Sequence, residues 1–221
     1  MPKVSEEYFE KKRQLITEAA YQLCLRKPVE MITISDVISE AGLSQGAIYR
    51  YYDSLDDILA DVLTRVRSDY NIIDKFKNTI ESDKSFEEIT YEVCDVLADA
   101  MKTHLMDVQK INFDVSVLAI NEPERAAKIT AGIKGPGNLE YLGSHVLPKM
   151  MMESAKNGLK PRGTLEEIQL YLAASYVGIE KYCIMAACYG TDEIKLEVDP
   201  HKLFRVYAKT IIMLFGGNID D

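Results

Sequence analysis

Residues 33–52 read TISDVISEAGLSQGAIYRYY, and a glycine interrupts the helical pattern in the middle of this stretch. Apolar side chains recur at helical spacing before the glycine. Thr33 is followed three residues later by Asp36, which is the arrangement of a capping box at the start of a helix. Gly42 stands where the chain turns, because glycine enters the left-handed region of backbone conformation without strain. Ser44 is a favourable N-cap, so the stretch predicts two short helices joined at a sharp corner.

The second of these helices has an outward face of small, polar and aromatic side chains. Ile48 and Tyr52 lie about one turn apart and are predicted to face inward. Gln and Arg side chains can bind base edges, and hydroxyl and backbone N–H groups can bind phosphates. A helix-turn-helix with such a face is typical of DNA-binding proteins, although a structural hairpin without a ligand can share the spacing. The predicted DNA-binding residues are Thr33, Ser35, Ser44, Gln45, Gly46, Ala47, Tyr49, Arg50 and Tyr51, with Lys27 as a further candidate.

The segment TISDVISEAGLSQGAIYRYYDSLDDILADVL, residues 33–63, resembles the N-terminal signature of the tetracycline-repressor (TetR) family of bacterial regulators. The likeness covers about residues 8–65. It rests on a helix that begins with threonine, an Ala-Gly-aliphatic-Ser turn, a Gly-small-aliphatic-Tyr recognition helix and a fourth helix that begins with serine. The resemblance implies a homodimer that places one recognition helix per subunit in the major groove of a DNA operator. It also implies a helical second domain that binds a small-molecule effector.

One position departs from the family pattern at the start of the fourth helix. The family commonly has a lysine directly after the serine that opens this helix, where it contacts a phosphate, but this chain has Leu55. Asp53, Asp56 and Asp57 surround it and would repel phosphates. Each neutralised phosphate contributes about −0.9 to the salt slope of binding, and we expect roughly two to four ion contacts per subunit. The sequence therefore predicts DNA binding with a shallow salt dependence.

The charge of the chain is unevenly distributed. Residues 1–52 contain seven basic and seven acidic side chains, whereas the remainder contains 19 and 28 and accounts for the whole net charge of −9. No apolar run approaches the roughly 18 residues that span a bilayer. The first residues are charged and lack the apolar core of a secretory signal, so we expect a cytoplasmic protein. The four cysteines are scattered, which favours reduced thiols.

Almost every periodic segment predicts a helix, and the sequence indicates an all-α fold with roughly nine helices. Residues 1–53 are predicted to form a three-helix helix-turn-helix domain for DNA binding. Residues 54–221 are predicted to form a larger helical domain for ligand binding and dimerisation. After the corner, the predicted helices cover about residues 54–70, 86–106, 108–120, 139–157, 165–189 and 200–215, and a shorter helix ends at about Lys134.

Candidates for effector binding are large, adaptable or polar side chains on apolar helix faces. Asp114 is the strongest, because a carboxylate buried without a partner costs several kcal/mol. A buried Asp114 predicts an apolar effector with a cationic or hydrogen-bonding group, and a solvated position on the helix is the alternative. Any single aromatic residue or methionine here is more often plain core. The candidates are Tyr91, Met101, His104, Asn112, Phe113, Asp114, Tyr141, His145, Met151 and Tyr176, with Met150 as a further apolar wall.

The last two predicted helices are candidates for the interface of a homodimer. Residues 165–189 are apolar around more than one stripe, and small residues such as Ala174 and Gly178 keep one side narrow. Two such helices from each subunit would form a four-helix interface. An ordinary core helix pair within a monomer is the alternative.

The preferred function is a ligand-responsive, DNA-binding transcriptional regulator, a repressor that a small-molecule effector releases from its operator. No catalytic set, phosphate-binding loop or metal-ligand spacing is found, so we predict no enzyme activity, no metal and no cofactor. The alternative function is a helical interaction or adaptor protein with weak or no sequence-specific DNA binding, which Leu55 and the nearby acids keep open.

Overall fold

The computed structural model describes residues 6–189 and 198–219, and these residues contain helices and no β-strand. The all-α prediction is therefore confirmed. No helix in the described ranges combines the length and the apolar character needed to cross a membrane. The α-helices are α1 (Glu6–Arg26), α2 (Ile34–Ala41), α3 (Gln45–Ile48), α4 (Leu55–Asp69), α5 (Ile73–Ile80), α6 (Phe86–Thr103), α7 (Lys110–Asn121), α8 (Pro123–Ala131), α9 (Asn138–Tyr141), α10 (Leu147–Lys156), α11 (Leu165–Tyr189) and α12 (Pro200–Leu214).

The chain divides into two compact units, and it passes between them three times. The first unit comprises α1–α4 together with α7 and α8, and the second comprises α5, α6 and α9–α12. Packing thus groups α4 with the helix-turn-helix, whereas the sequence suggests a division after Asp53. The chain enters the second unit with α5 and α6 and then returns to the first unit with α7 and α8.

A partly buried polar network around Tyr52 joins α1 and α4 to the turn that follows α3. The Tyr52 hydroxyl donates a hydrogen bond to Asp61 at 2.7 Å and lies 2.9 Å from the Thr17 hydroxyl. The Arg13 guanidinium pairs with Asp61 and lies over the Tyr52 ring, 4.3 Å from its centroid. Arg13 also donates to the carbonyl of Tyr51 at 3.1 Å. These contacts hold the end of the α3 turn against α1 and α4.

The corner between α2 and α3 has the predicted chemistry. Gly42 adopts φ 63° and ψ 32°, in the left-handed region. Thr33 and Asp36 form both hydrogen bonds of the capping box at the start of α2. The Ser44 hydroxyl accepts the Ala47 N–H at 3.3 Å and caps α3. The local signals in residues 33–44 therefore mark the observed start of α2, its end at Gly42 and the start of α3, whereas α3 ends at Ile48 and the predicted continuation to Tyr52 is a turn.

The core of the second unit lies between α6 and α12. Phe86 and Phe215 are fully buried, and their ring centroids lie 5.5 Å apart. Phe204 is also fully buried and contacts the rings of Tyr176 and Tyr207 at 6.0 Å. The aromatic side chains thus join α6, α11 and α12 within this unit.

Three features of the second unit are absent from the sequence prediction. The helix α5 is eight residues long, and its Ile73 and Phe76 are buried, but so short a segment shows a single apolar repeat. The segments Leu105–Gln109 and Leu142–Val146 are π-helical and continue into α7 and α10. A π-helical segment adds one residue to a helical turn and leaves no composition signal that distinguishes it from an α-helix.

The corner at Gly42 can be tested by adding a single methyl group. We expect Gly42→Ala to lower the free energy of unfolding by about 1–2 kcal/mol, because an L-residue is strained in left-handed backbone. Gly46→Ala is the matched control, since a Cβ there meets no atom within 4 Å and its φ is not positive. Urea denaturation followed by circular dichroism measures both variants. Equal unfolding midpoints for the two variants would contradict the conformational argument.

Candidate nucleic-acid interface and effector cavity

The outward face of α3 and of the turn that follows it carries the side chains expected for reading DNA. Gln45, Gly46, Tyr49 and Arg50 are all exposed. Their inward neighbours are buried, since Ile48 is fully covered and Tyr52 belongs to the polar network described above. Neither Gln45 nor Arg50 forms a side-chain hydrogen bond or ion pair with another described residue. The exposed amide and guanidinium are therefore available for base edges or phosphates.

Other members of the predicted DNA-binding set have partners within the protein. The Thr33 hydroxyl donates to the Asp36 carboxylate at 2.8 Å, and Lys27 pairs with the same carboxylate at 2.9 Å. Lys27 and the hydrogen bonds from Thr33 lower the pKa of Asp36 to about 2, so this carboxylate is ionised at neutral pH. Tyr51 packs against the Phe9 ring at 4.7 Å. Ser35 and Ser44 are exposed, and Ala47 is half-buried.

The acidic residues around Leu55 are partly neutralised by α8. Asp56 pairs with Arg125 at 2.9 Å and with Lys128 at 3.5 Å. Asp57 accepts a hydrogen bond from the N-cap hydroxyl of Ser54 at 2.6 Å. The Lys128 ammonium also lies 3.3 Å from that hydroxyl. The start of α4 therefore has a lysine beside it, although the lysine comes from α8 and not from the position after Ser54.

A cavity of about 320 Å³ lies in the second unit, between α6, the α9–α10 segment, α11 and α12. Its volume is within the roughly 300–1,000 Å³ range of small-molecule sites. Its walls are formed by aliphatic side chains, with a few tyrosine, amide and thiol groups among them. The lining residues are Val93, Cys94, Leu97, Leu139, Leu142, Gly143, Leu147, Met150, Gln169, Leu172, Ala173, Tyr176, Val177, Tyr207 and Ile211.

Two polar groups of the cavity wall are held in their neutral forms. The Tyr207 hydroxyl donates to the carbonyl of Leu172 at 2.8 Å, and burial raises the pKa of Tyr207. Burial also raises the pKa of the Cys94 thiol, which is 1% exposed. The wall therefore offers apolar contact and neutral polar groups and no formal charge.

Among the predicted effector residues of the second unit, the structure places Tyr176 in the cavity wall, together with Met150. Six others lie elsewhere in this unit. The Arg205 guanidinium lies 5.2 Å from the Tyr91 ring, and Met101 belongs to the fully buried core. The His104 ring nitrogen lies 3.2 Å from the Asp107 carboxylate. The Tyr141 ring stacks on the His145 ring with the centroids 4.3 Å apart, and Met151 is half-buried on α10.

Asn112, Phe113 and Asp114 lie on α7, in the first unit, and do not line the cavity. Asp114 accepts hydrogen bonds from Lys110 at 2.8 Å and from the Val29 N–H at 3.3 Å. The Asp114 side chain is 13% exposed, which agrees with the buried alternative and not with the solvated one. Lys110 of the same helix supplies its counter-charge. The burial of this carboxylate is therefore explained by Lys110, and no cationic effector is needed to explain it.

Lys110 fastens α7 to the end of α1. Its ammonium donates to the carbonyls of Cys24 and Lys27 at 2.7 and 3.1 Å, in addition to Asp114. All three of its N–H donors are thereby used within the protein. Its side chain is 17% exposed, so loss of either charge would leave the other largely buried without its counter-charge.

The two short helices, the left-handed corner and the exposed α3 face define a helix-turn-helix domain of the DNA-binding type. Residues 16–62 match the family model described as bacterial regulatory proteins, tetR family. The matched residues comprise about half of α1, the helix-turn-helix and about half of α4, so this part of the chain is similar to the DNA-binding domain of TetR-family regulators. The resemblance predicted from residues 33–63 is thereby confirmed.

The curated relatives match only part of the chain. The HTH-type transcriptional regulator YfiR of Bacillus subtilis (strain 168) is 36% identical over 62 residues, which is 28% of this chain and 30% of YfiR. The chain thus spans about a third of the length of this relative.

Solved structures of the same fold cover nearly the whole chain. A TetR-family regulator of Mesorhizobium loti MAFF303099 has a TM-score of 0.64 and 15% identity, over 94% of this chain and 98% of that one. FadR of Thermus thermophilus, a TetR-family repressor solved in complex with lauroyl-CoA, has a TM-score of 0.55 and 16% identity, over 95% and 96%. At these identities the likeness shows the shared fold.

The buried pair on α7 gives a prediction that separates a structural role from an effector-binding role. We expect Asp114→Ala to lower the free energy of unfolding by about 3–5 kcal/mol, because Lys110 then remains buried without its counter-charge. The double variant Lys110→Met/Asp114→Leu is the control, and we expect it to recover much of this loss. Chemical denaturation measures both. A stable Asp114→Ala protein with altered ligand affinity would instead favour the effector role.

Proposed function

We propose that this protein is a ligand-responsive transcriptional regulator that acts as a dimer in the cytoplasm and represses transcription until an effector releases it from its operator. The observation that carries the proposal is the exposed face formed by α3 and the turn after it, where Gln45 and Arg50 form no side-chain hydrogen bond or ion pair with another described residue. The other compact unit contains an apolar cavity. One unit thus supplies the chemistry for DNA and the other supplies a place for a small molecule.

The recognition chemistry is concentrated in α3 and the turn that follows it. Arg50 can bind a guanine edge or a phosphate, and Gln45 can bind an adenine edge. Gly46 has no side chain, which lets the backbone approach the floor of the major groove. The network of Arg13, Asp61 and Tyr52 holds this turn in place, so that α3 is presented as a rigid element.

The exposed apolar faces of α11 and α12 support a homodimer. Leu170 is 65% exposed and Met185 is 54% exposed on α11, and Val206 is 64% exposed on α12. Large apolar side chains exposed along two helices of a water-soluble unit favour burial against a partner. Ala174 and Gly178 lie within the α11 face and allow close approach of a second helix.

Release from DNA requires that the effector favour one arrangement of the dimer over another. Two recognition helices read half-sites whose centres lie about 34–36 Å apart, so a displacement of a few ångströms weakens binding. The helix α6 lines the cavity and continues through a π-helical segment into α7, where Lys110 holds the end of α1. The lauroyl-CoA complex of FadR supports a small-molecule ligand for this fold.

An interaction protein with weak DNA binding is the second candidate. Two observations favour this candidate. Lys27 pairs with Asp36, and Asp53, two residues before Leu55, is exposed, so the positive charge near the hairpin is reduced. Selection of a bound site from a random DNA pool separates the two candidates. Recovery of a single palindromic site supports the regulator, and failure to enrich any sequence would overturn it.

Arg50 provides the sharpest test of the DNA-reading face. We expect Arg50→Ala to weaken binding to the selected operator by about 1–3 kcal/mol, since a guanidinium contact to a base or phosphate is lost. Arg26→Ala removes the same charge from the same unit, but its guanidinium pairs with Glu40 at 2.8 Å. Fluorescence anisotropy with labelled operator measures both, and an equal loss for the two variants would mean that net charge alone matters.

The α11 face is tested by placing a charge within it. We expect Met185→Glu to shift the protein from dimer to monomer, because a carboxylate buried at an interface without a partner is costly. Met152→Glu is the matched control, since Met152 is 57% exposed on α10 and lies outside α11 and α12. Analytical ultracentrifugation gives the mass of each species. A Met185→Glu protein that remains dimeric would place the interface elsewhere.

A further inference from the structure

The interior of the cavity has no partner for a charged ligand group. None of its lining residues is an Asp, Glu, Lys, Arg or His. The Tyr207 hydroxyl is already used by the carbonyl of Leu172, and the Cys94 thiol is buried and neutral. A charged group placed among these side chains would lie in apolar surroundings without compensation, which is strongly unfavourable.

The cavity is open where exposed residues of the α9–α10 segment and of α11 line it. Leu139 and Gly143 lie on α9 and in the π-helical segment, and Gln169, Ala173 and Val177 lie on α11. A Cβ added at Gly143 would meet no atom within 4 Å, so there is free space at this position. At the other walls, Leu97, Met150 and Ile211 are buried. A ligand can therefore enter beside Gly143 and end against the buried side chains.

The volume of the cavity limits what can enter it. At the roughly 30 Å³ that a water-sized group occupies in a liquid, a cavity of about 320 Å³ holds on the order of ten non-hydrogen atoms. The walls are mostly aliphatic, and flexible side chains such as Met150 adapt to a narrow chain.

Glu180 offers an alternative anchor for a cationic ligand. It follows Tyr176 by one turn on α11 and is half-buried, and burial raises its pKa to about 7. It is not among the lining residues of the cavity. An effector held by this carboxylate would show a clear preference for a cationic head group, whereas an effector held by the apolar wall would not.

From these observations we infer that the effector cavity takes a flexible, uncharged apolar chain of on the order of ten non-hydrogen atoms and leaves the polar or charged end of the ligand outside, beside Gly143. This inference rests on the proposed function, because it assigns a ligand class to the effector site. Binding then depends on chain length and is nearly independent of the head group.

Three series of straight-chain compounds test this assignment with the full chain. Isothermal titration calorimetry measures the affinities of 1-alkanols, alkanoates and alkyltrimethylammonium ions below their aggregation concentrations. We expect affinity to rise about 4-fold per methylene, as about 0.8 kcal/mol per buried CH₂ implies, and to level off near a chain of roughly ten carbons. A preference above about 15-fold for one head group at equal chain length, or an affinity independent of chain length, would overturn the assignment.

The opening is tested by filling it. We expect Gly143→Phe to weaken binding of decyl compounds at least about 10-fold, because its ring occupies the free space at the mouth. Ser144→Phe is the matched control, since Ser144 is the next residue, is exposed and does not line the cavity. Gly143→Ala, which adds a single methyl group, tests the same position if the larger side chain prevents folding. Binding by folded Gly143→Phe protein equal to that of the control would overturn the assigned opening.

Operator affinity without ligand, measured on the same preparations, separates the inference from the proposed function. A protein that binds its operator but takes none of the three series would overturn the ligand class and leave the DNA-binding role intact. A protein that binds the chains as expected, with no change in operator affinity, would support the ligand class and contradict release by an effector.

Discussion

The left-handed turn at Gly42 is the constraint on which the rest of the DNA-binding unit depends. Because the chain reverses there without strain, α2 and α3 become separate helices, and Ile48 and Tyr52 face the core. The burial of Tyr52 brings its hydroxyl to Asp61 and its ring beneath Arg13, which ties the α3 turn to α1 and α4. The opposite side of α3 is then exposed by necessity, and its side chains are the ones that can reach DNA.

The start of α4 shows how a cluster of acidic side chains is balanced by a distant part of the chain. Three aspartates close to Leu55 would oppose phosphate binding if they stood alone. Arg125 and Lys128 of α8 pair with Asp56, and the N-cap serine engages Asp57. The helices α7 and α8 thus stabilise the helix-turn-helix unit through long-range contacts, since Lys110 also holds the end of α1.

Local features were predictable from the sequence, and long-range ones were not. The capping boxes, the glycine corner and the buried positions of α3 depend on residues within four positions of one another. The pairing of Asp56 with Arg125 joins residues 69 positions apart, and no pattern along the sequence predicts it. The cavity is lined mainly by ordinary apolar side chains such as Val93 and Leu142, which resemble any core residue in sequence. Asp114 stood out as polar on an apolar face, but Lys110, one turn before it, was the available signal that its partner lies within the protein.

The central claim is that ligand binding in the second unit and operator binding in the first are coupled. Coupling between two sites is reciprocal, so the factor by which a ligand weakens operator binding must equal the factor by which the operator weakens ligand binding. The direct measurement is the affinity of a decyl compound for the free protein and for the operator-bound protein, by calorimetry. A weaker affinity for the operator-bound protein, by the factor that operator titrations give, is predicted. Equal affinities in the two states would contradict the account.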